Sequence, residues 1–146
     1  MPEQGADSTP LCVLSVEDNP GDIRLIEEAV AAVADDVRLR QYSHGQRAIE
    51  ALSGADESTH PSPDLVFVDL NLPGKSGVEI LRRIRENASP DDVPVVVVSS
   101  SENPEDIRRV YAASANAYLT KPADPDAFIE MIAAAVRFWL PITGTN

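Results

Sequence analysis

The stretch LVFVDLNLPG, residues 65–74, joins a short apolar run to an abrupt polar end. Asp69 follows four strand-forming residues directly, and a loop with Pro73 and Gly74 comes next. Two similar runs, rich in β-branched residues, occupy residues 11–16 and 93–98. Short continuous apolar runs are typical of strands that are buried on both faces of a parallel sheet. The three runs therefore predict the central strands of such a sheet.

Segments with helical spacing lie between the apolar runs. After the first run, apolar residues recur at Ile23, Ile26, Val30 and Val33. After residues 65–68 they recur at Val78, Leu81 and Ile84. Weaker patterns predict strands at 37–42 and 117–120 and helices at 45–52, 104–113 and 125–140. Strand and helix thus alternate through five units, which predicts an α/β protein with a doubly wound, five-stranded parallel sheet.

Length and composition are those of one folded domain. The chain has 146 residues, of which 43% are hydrophobic and 25% charged, and this is enough to bury one core without disulfides. We predict a flexible segment at residues 1–10, a domain at 11–140 and a tail at 141–146. Residues 53–63 predict a solvated loop because they are rich in Ser, Asp, Gly and Pro. His60 in that loop is assigned no chemistry. We expect no attached output domain.

The charge excludes several classes of function. The net charge is −12 at pH 7, and Lys75 and Lys121 are the only lysines. A field of this sign repels nucleic acids and anionic membranes, so neither is expected as a partner.

No apolar run approaches the roughly 18 residues of a membrane span, and the N-terminus lacks signal-peptide features. The single Cys12 cannot form an internal disulfide, which favours a reducing compartment. We therefore predict a cytoplasmic protein.

Polar residues close the predicted strands in a chemically related set. These residues are Glu17-Asp18, Asp69, Ser99-Ser100 and Thr120-Lys121. Ligands of open parallel sheets bind outside the carboxyl ends of the strands. Two carboxylates about 4 Å apart repel each other by about 4 kcal/mol at an effective dielectric of about 20. A positive partner must offset this repulsion, and oxygen-only ligands favour Mg²⁺ over zinc.

Asp69 is the best candidate for a nucleophile in this set. An aspartate can accept a phosphoryl group as an acyl phosphate when the developing charge is neutralised nearby. Ser99 and Lys121 could each donate a hydrogen bond to a phosphoryl oxygen. Any single acidic residue at a strand end is more often a turn former or a helix cap. The combination of acids, hydroxyl and ammonium at successive strands favours the functional interpretation.

The same residues resemble the receiver domain of two-component response regulators, over about residues 11–140. The similar blocks are Val16-Glu17-Asp18-Asn19, Asp69-Leu70-Asn71-Leu72-Pro73 with Gly77, Val95 to Ser100, and Tyr118-Leu119-Thr120-Lys121-Pro122. The intervals from Asp69 to Ser99 and to Lys121 are also similar. The resemblance implies a flavodoxin-like (βα)5 fold with strand order 2-1-3-4-5. Three features look most like the phytochrome-partner, single-domain receivers: the longer loop before Asp69, the phrase Val16-Glu17-Asp18-Asn19-Pro20-Gly21-Asp22 and the ending Phe138-Trp139-Leu140.

The resemblance also implies a metal site. Asp18, Asp69 and the backbone carbonyl of Asn71 would bind Mg²⁺ directly, and Glu17 would act mostly through coordinated water. Mn²⁺ could substitute. Lys121 would pair with Asp69 before phosphoryl transfer and with a phosphoryl oxygen afterwards.

Other implied roles concern switching. Ser99 and Tyr118 would move together after phosphorylation, while Asn71 and Ser101 would tune the lifetime of the phosphoryl group. Both tuning residues are small and polar, which admits water and predicts a modest lifetime. The Lys121–Pro122 peptide bond would be cis and would aim the lysine.

The implied function is that of a single-domain response regulator. Asp69 would accept a phosphoryl group from a sensor histidine kinase or a phosphotransfer protein, and the change would alter binding to a downstream effector protein. The chain would assist its own phosphorylation and dephosphorylation without being an enzyme. Part of the apolar ending could extend into a homodimer contact.

Three alternatives compete with this interpretation. A pseudo-receiver, acting as a constitutive binding module, would be supported by a missing acid or lysine, and none is missing. Hydrolases that use an aspartate nucleophile resemble one another in having a second Asp two residues after the nucleophile. This chain has Asn71 at that position. A dinucleotide-binding domain requires a glycine-rich loop after the first strand, and residues 17–21 form none.

Overall fold

Five parallel strands form the central sheet of the protein. This computed structural model describes residues 10–52, 62–74 and 76–140. The strands are β1 (Cys12–Val16), β2 (Arg38–Tyr42), β3 (Leu65–Asp69), β4 (Val95–Ser99) and β5 (Ala117–Thr120). The helices are α1 (Pro20–Val33), α2 (Gly45–Leu52), α3 (Gly77–Arg85), α4 (Pro104–Ala112) and α5 (Pro125–Trp139). The sheet has the order β2-β1-β3-β4-β5, so the predicted fold class and strand order are confirmed.

Each face of the sheet is covered by its own apolar core, because successive side chains of a strand point to opposite faces. One core joins the sheet to α1 and α5, and its buried members include Val13, Phe67, Val96, Ile26, Phe128 and Ile132. The other joins the sheet to α2, α3 and α4, and its buried members include Leu14, Val66, Val97, Ile49, Leu81 and Val110. The three central strands are buried throughout, which explains why they are continuous apolar runs.

Side-chain caps begin four of the helices at the carboxyl edge of the sheet. Asn19, Asn103 and Asp124 each accept a backbone N–H from the first turn of the following helix, and proline stands in the first turn of all three. Ser76 forms a reciprocal capping box with Glu79 at the start of α3. These caps satisfy N–H groups that a helix leaves unpaired, and they fix where each strand–helix connection turns.

Most predicted bounds agree with the structure, but the aromatic ending differs from a pure core segment. Phe138 is 75% exposed, whereas Leu140 is buried and Trp139 is half-buried. The flexible segment, the loop with His60 and the tail fall mainly on residues 1–9, 53–61 and 141–146, which lie outside the described residues. None of the helices in the described part of the chain combines the length and the apolar character that a membrane-spanning segment requires.

Candidate functional site

Three carboxylates converge at the carboxyl edge of the sheet. One oxygen each from Glu17, Asp18 and Asp69 lies within 4.8 Å of the other two. The parallel register pairs Val16 with Val68, so the next residues along both strands, Glu17 and Asp69, are brought side by side. Glu17 and Asp69 are buried and Asp18 is exposed. This oxygen-only donor set with one open side suits a hard divalent cation such as Mg²⁺ or Mn²⁺.

Lys121 contacts the buried members of this cluster and a further acid. Its Nζ donates to Glu17 Oε1 at 3.0 Å, to Asp69 Oδ2 at 3.1 Å and to Asp22 Oδ2 at 2.8 Å. An ammonium group has three N–H donors, so all of them are used. The backbone N–H of Lys121 donates to the Ser99 carbonyl at 2.8 Å, which fixes the start of the side chain.

Asp22 was not among the residues predicted for the site. It lies in the first turn of α1, and its backbone N–H donates to the Asn19 side chain at 3.0 Å. An acid in this position is ordinarily explained by the helix dipole alone. Its separation from Lys121 along the chain left no local signal of their contact.

The site is electrostatically short of positive charge. Burial raises the pKa of Glu17 to about 7, and the charge of Asp69 acts in the same direction, while hydrogen bonds from Asn19 and Lys121 oppose the shift. Burial alone would lower the pKa of Lys121, but its bonds to Asp22 and Glu17 and the charge of Asp69 raise it above the ordinary lysine value. Lys121 therefore stays an ammonium, and one ammonium faces four nearby acids, which favours binding of a further cation.

The loop after Asp69 is held close to the first turn of α3. The Asn71 N–H donates to Asp69 Oδ1 at 3.2 Å, and the Gly77 N–H donates to the Leu70 carbonyl at 2.9 Å. A Cβ at position 77 would lie 2.5 Å from the Asp69 carbonyl oxygen and 2.8 Å from Leu70 Cα. Only glycine fits this approach without moving the backbone that carries Asp69. Asn71 itself is exposed beside the acids.

Hydrogen bonds connect Ser99, Ser101 and Tyr118. Ser99 is fully buried, and its Oγ accepts the Ser101 N–H at 3.1 Å. The Tyr118 hydroxyl donates to the Ser101 carbonyl at 2.7 Å. The Ser101 hydroxyl donates to Asp106 Oδ2 at 2.7 Å, so it is engaged by α4. The Ser101 side chain, which is predicted to admit water because it is small and polar, thus has a hydrogen-bond partner that the sequence pattern does not indicate.

The predicted cis peptide at Lys121–Pro122 is wrong. No peptide bond among the described residues is cis, so this bond is trans. The trans form of an X-Pro bond is favoured by about 0.5–1 kcal/mol unless the surroundings reverse the preference. Lys121 is directed instead by its backbone bond to Ser99 and by three carboxylate partners.

Comparison with known proteins gives one consistent result. A family model described as the response regulator receiver domain matches residues 13–133. The response regulator Rcp1 of Synechocystis sp. is 35% identical over 132 residues, which are 90% of each chain. The crystal structure of the Mn²⁺-bound form of Rcp1 superposes with a TM-score of 0.80 at 35% identity, covering 92% of this chain and 97% of that one. The phosphorylated cyanobacterial phytochrome response regulator RcpA gives 0.83 at 34% identity, covering 90% and 95%.

Proposed function

The chain belongs to the response regulator receiver domain family, and on that premise we propose that it is a switch operated by phosphorylation of Asp69. The observation that carries the proposal is the position of Asp69 at the end of β3. Its carboxylate is buried, contacts the Lys121 ammonium at 3.1 Å and lies beside Glu17 and Asp18. The phosphorylated state of RcpA supports the same chemistry in a protein of similar structure.

The proposed metal is Mg²⁺, held directly by Asp18, Asp69 and the Asn71 carbonyl, with Glu17 acting mostly through coordinated water. A bound divalent cation would neutralise charge that develops on the phosphoryl oxygens during transfer. The acid cluster and the Mn²⁺-bound form of Rcp1 support a divalent cation in general. The choice of Mg²⁺, with Mn²⁺ as a substitute, rests on the oxygen donors and on the ion's preference for phosphate chemistry.

The transfer step uses one carboxylate oxygen of Asp69 as the nucleophile. The oxygen attacks phosphorus, an acyl phosphate bond forms, and the bond between phosphorus and its donor group breaks. Lys121 holds Asp69 before transfer and donates to a phosphoryl oxygen afterwards. Ser99 donates its hydroxyl to a second phosphoryl oxygen. The chain therefore assists phosphorylation of its own aspartate and hydrolysis of the resulting aspartyl phosphate, which releases inorganic phosphate, and we do not propose an enzyme that acts on an external substrate.

Phosphorylation would be transmitted through Ser99 to Tyr118. The Ser99 hydroxyl accepts the Ser101 N–H, and Tyr118 is bonded to the Ser101 carbonyl. Turning the Ser99 hydroxyl towards the phosphoryl group would therefore disturb the loop that Tyr118 contacts. A few kcal/mol of new charge-assisted bonding is enough to shift a two-state equilibrium substantially. The surface of α4, β5 and α5 would then bind a downstream effector protein differently.

The proposed donor is a sensor histidine kinase or a phosphotransfer protein. The similarity to RcpA, a phytochrome response regulator, favours a phytochrome-type kinase within that class. The net charge of −12 supports protein partners over nucleic acids. The rival proposal, a constitutive pseudo-receiver, has no supporting observation because Glu17, Asp18, Asp69 and Lys121 are all in place.

Incubation with acetyl phosphate, with and without Mg²⁺, tests the proposed function. Intact mass should increase by one phosphoryl group in the wild type, only when Mg²⁺ is present. Asp69→Asn should not gain that mass because the nucleophilic oxygen is replaced by an amide. A mass gain that ignores both the metal and the substitution would exclude Asp69 as the acceptor.

A further inference from the structure

Resting on the proposed function, we infer that Asp22 is a positioning residue for phosphoryl transfer, which holds the Lys121 ammonium beside Asp69 while the other carboxylates engage the metal and the phosphoryl group. Asp22 belongs to the first turn of α1 and not to the strand ends that form the acid cluster, and its effect is exerted through Lys121.

Asp22 makes the shortest of the three contacts of Lys121. The Nζ–Oδ2 distance is 2.8 Å, and the side chains of Lys121 and Asp22 are 13% and 23% exposed. Asp22 is absent from the group of acids whose oxygens could share one metal ion, which contains Glu17, Asp18 and Asp69. The ammonium therefore bridges the metal cluster and one acid outside it.

The number of N–H groups decides what Asp22 can contribute. All three donors of Lys121 are used, by Glu17, Asp22 and Asp69. Phosphorylation of Asp69 replaces one of these partners with a phosphoryl oxygen. Glu17 is a member of the proposed metal site, so its carboxylate serves two cations. Asp22 is then the one partner of the ammonium that neither phosphorylation nor metal binding engages. It can therefore keep the remaining N–H groups of Lys121 directed at Asp69.

The surroundings of Asp22 suit this role because its backbone is fixed. The Asn19 cap accepts the Asp22 N–H at 3.0 Å, and α1 packs against α5 through a shared core that includes Ile26 and Phe128. The connection that carries Lys121 leads directly into α5. Asp22 lies in the first turn of α1 and Lys121 four residues before α5 begins, so the packing of these two helices helps to fix the separation of the two residues.

A simpler role for Asp22 is stabilisation of α1 through the helix dipole, since acids in a first turn have this effect. That role would not require Lys121. The two possibilities therefore differ in whether the effect of an Asp22 substitution depends on the lysine, which a double-mutant cycle measures.

The kinetic test uses Asp22→Asn, which keeps the shape and removes the charge. The control is Glu28→Gln, which removes one charge from an exposed position of the same helix, about 9 Å further along its axis. We expect Asp22→Asn to lower the phosphorylation rate about ten-fold at saturating acetyl phosphate and Mg²⁺. Losses of this size follow when a residue that orients a metal ligand through a hydrogen bond is replaced. The half-saturating acetyl phosphate concentration and the Mg²⁺ dissociation constant should match those of the control. In a Lys121→Ala background, Asp22→Asn should cause no further slowing.

A second readout needs neither metal nor phosphate. Lys75 and Lys121 are the only lysines, so lysine labelled with ¹³C at Cε gives two signals in a nuclear magnetic resonance spectrum. In the metal-free protein, the ¹³C heteronuclear Overhauser effect at Lys121 Cε should rise in Asp22→Asn, because this effect increases when a methylene group becomes more mobile, and it should stay unchanged in Glu28→Gln.

Three results would overturn the inference: a rate equal to that of Glu28→Gln, equal slowing with and without Lys121, or an unchanged Lys121 Cε order. A wild-type protein that gains no phosphate would instead overturn the proposed function. The Cε measurement would then still decide whether Asp22 holds the lysine.

Discussion

Replacing Lys121 with methionine should destabilise the metal-free protein strongly at neutral pH, because three carboxylates would lose their shared cation. The Nζ atom lies 2.8, 3.0 and 3.1 Å from oxygens of Asp22, Glu17 and Asp69. One such pair at about 3 Å is worth about 5 kcal/mol at an effective dielectric of about 20, before desolvation is counted. Removing one partner from a buried ion pair costs about 3–5 kcal/mol in practice. We therefore expect Lys121→Met to lower the free energy of unfolding by about 3 kcal/mol at pH 8.

The loss should depend on pH with a definite sign. Burial raises the pKa of Glu17 in the folded protein to about 7 from an ordinary value of 4.5. Between these values the folded protein binds more protons than the unfolded chain, so the free energy of unfolding falls as pH rises through this window. Lys121 is one of the groups that oppose the raised pKa, and its removal raises it further. The cost of Lys121→Met should therefore be smaller at pH 5 than at pH 8.

Urea unfolding followed by the fluorescence of Trp139, the single tryptophan, measures both effects. The measurements are made in chelator and again in millimolar Mg²⁺, which should restore part of the lost stability of Lys121→Met by supplying positive charge. Arg47→Met is the matched control, since it removes an exposed cation from α2 and should change stability by less than about 0.5 kcal/mol. The reasoning is refuted if Lys121→Met is as stable as Arg47→Met in chelator at pH 8, or if its deficit is the same at pH 5.

Three further substitutions or treatments test the surrounding structure. Gly77→Ala would place a Cβ 2.5 Å from the Asp69 carbonyl oxygen, so it should lower the free energy of unfolding in urea by about 1–3 kcal/mol. It should also weaken Mg²⁺ binding in a calorimetric titration, and an affinity equal to that of the wild type would count against the close approach. Arg85→Ala removes hydrogen bonds of 2.8 and 2.9 Å to backbone carbonyls, so it should lower the free energy of unfolding by about 2 kcal/mol; a change near zero would be inconsistent with this account. The Cys12 thiol is 1% exposed and burial raises its pKa, so an aromatic disulfide reagent should react with it only as fast as the protein unfolds; rapid reaction of the native protein would disprove its burial.

The fold could be predicted from sequence because its strongest signals are local. The strands β1, β3 and β4 are buried on both faces, so their apolar runs are continuous and hard to mistake. The helix Gly45–Leu52 and the strand Ala117–Thr120 have the predicted bounds. The exposure of side chains at the end of α5 could not be predicted in the same way. An amphipathic pattern does not reveal that Phe138 is exposed to solvent while its neighbour Trp139 is half-buried.

The acid cluster could also be located from sequence, since parallel strands bring their carboxyl ends to one edge. What the pattern did not reveal are contacts across connections. Asp22 and Lys121 are 99 positions apart, and Asp22 already has a local explanation as a first-turn acid. The bond from Ser101 to Asp106 joins a loop to α4, and it depends on rotamers that spacing does not specify. The prediction of a cis Lys121–Pro122 bond, which the family resemblance implied, was wrong. An X-Pro sequence does not by itself determine the isomer of its peptide bond.

The central claim is that Asp69 itself receives the phosphoryl group, and chemical mapping of the modified residue tests it most directly. Borohydride reduces an aspartyl phosphate to homoserine, which peptide mass spectrometry assigns to a position. After treatment with acetyl phosphate and Mg²⁺, the account predicts homoserine at position 69 alone. Homoserine at position 18 or 22, or at position 17 the hydroxynorvaline that a reduced glutamyl phosphate leaves, with no homoserine at 69 would contradict it.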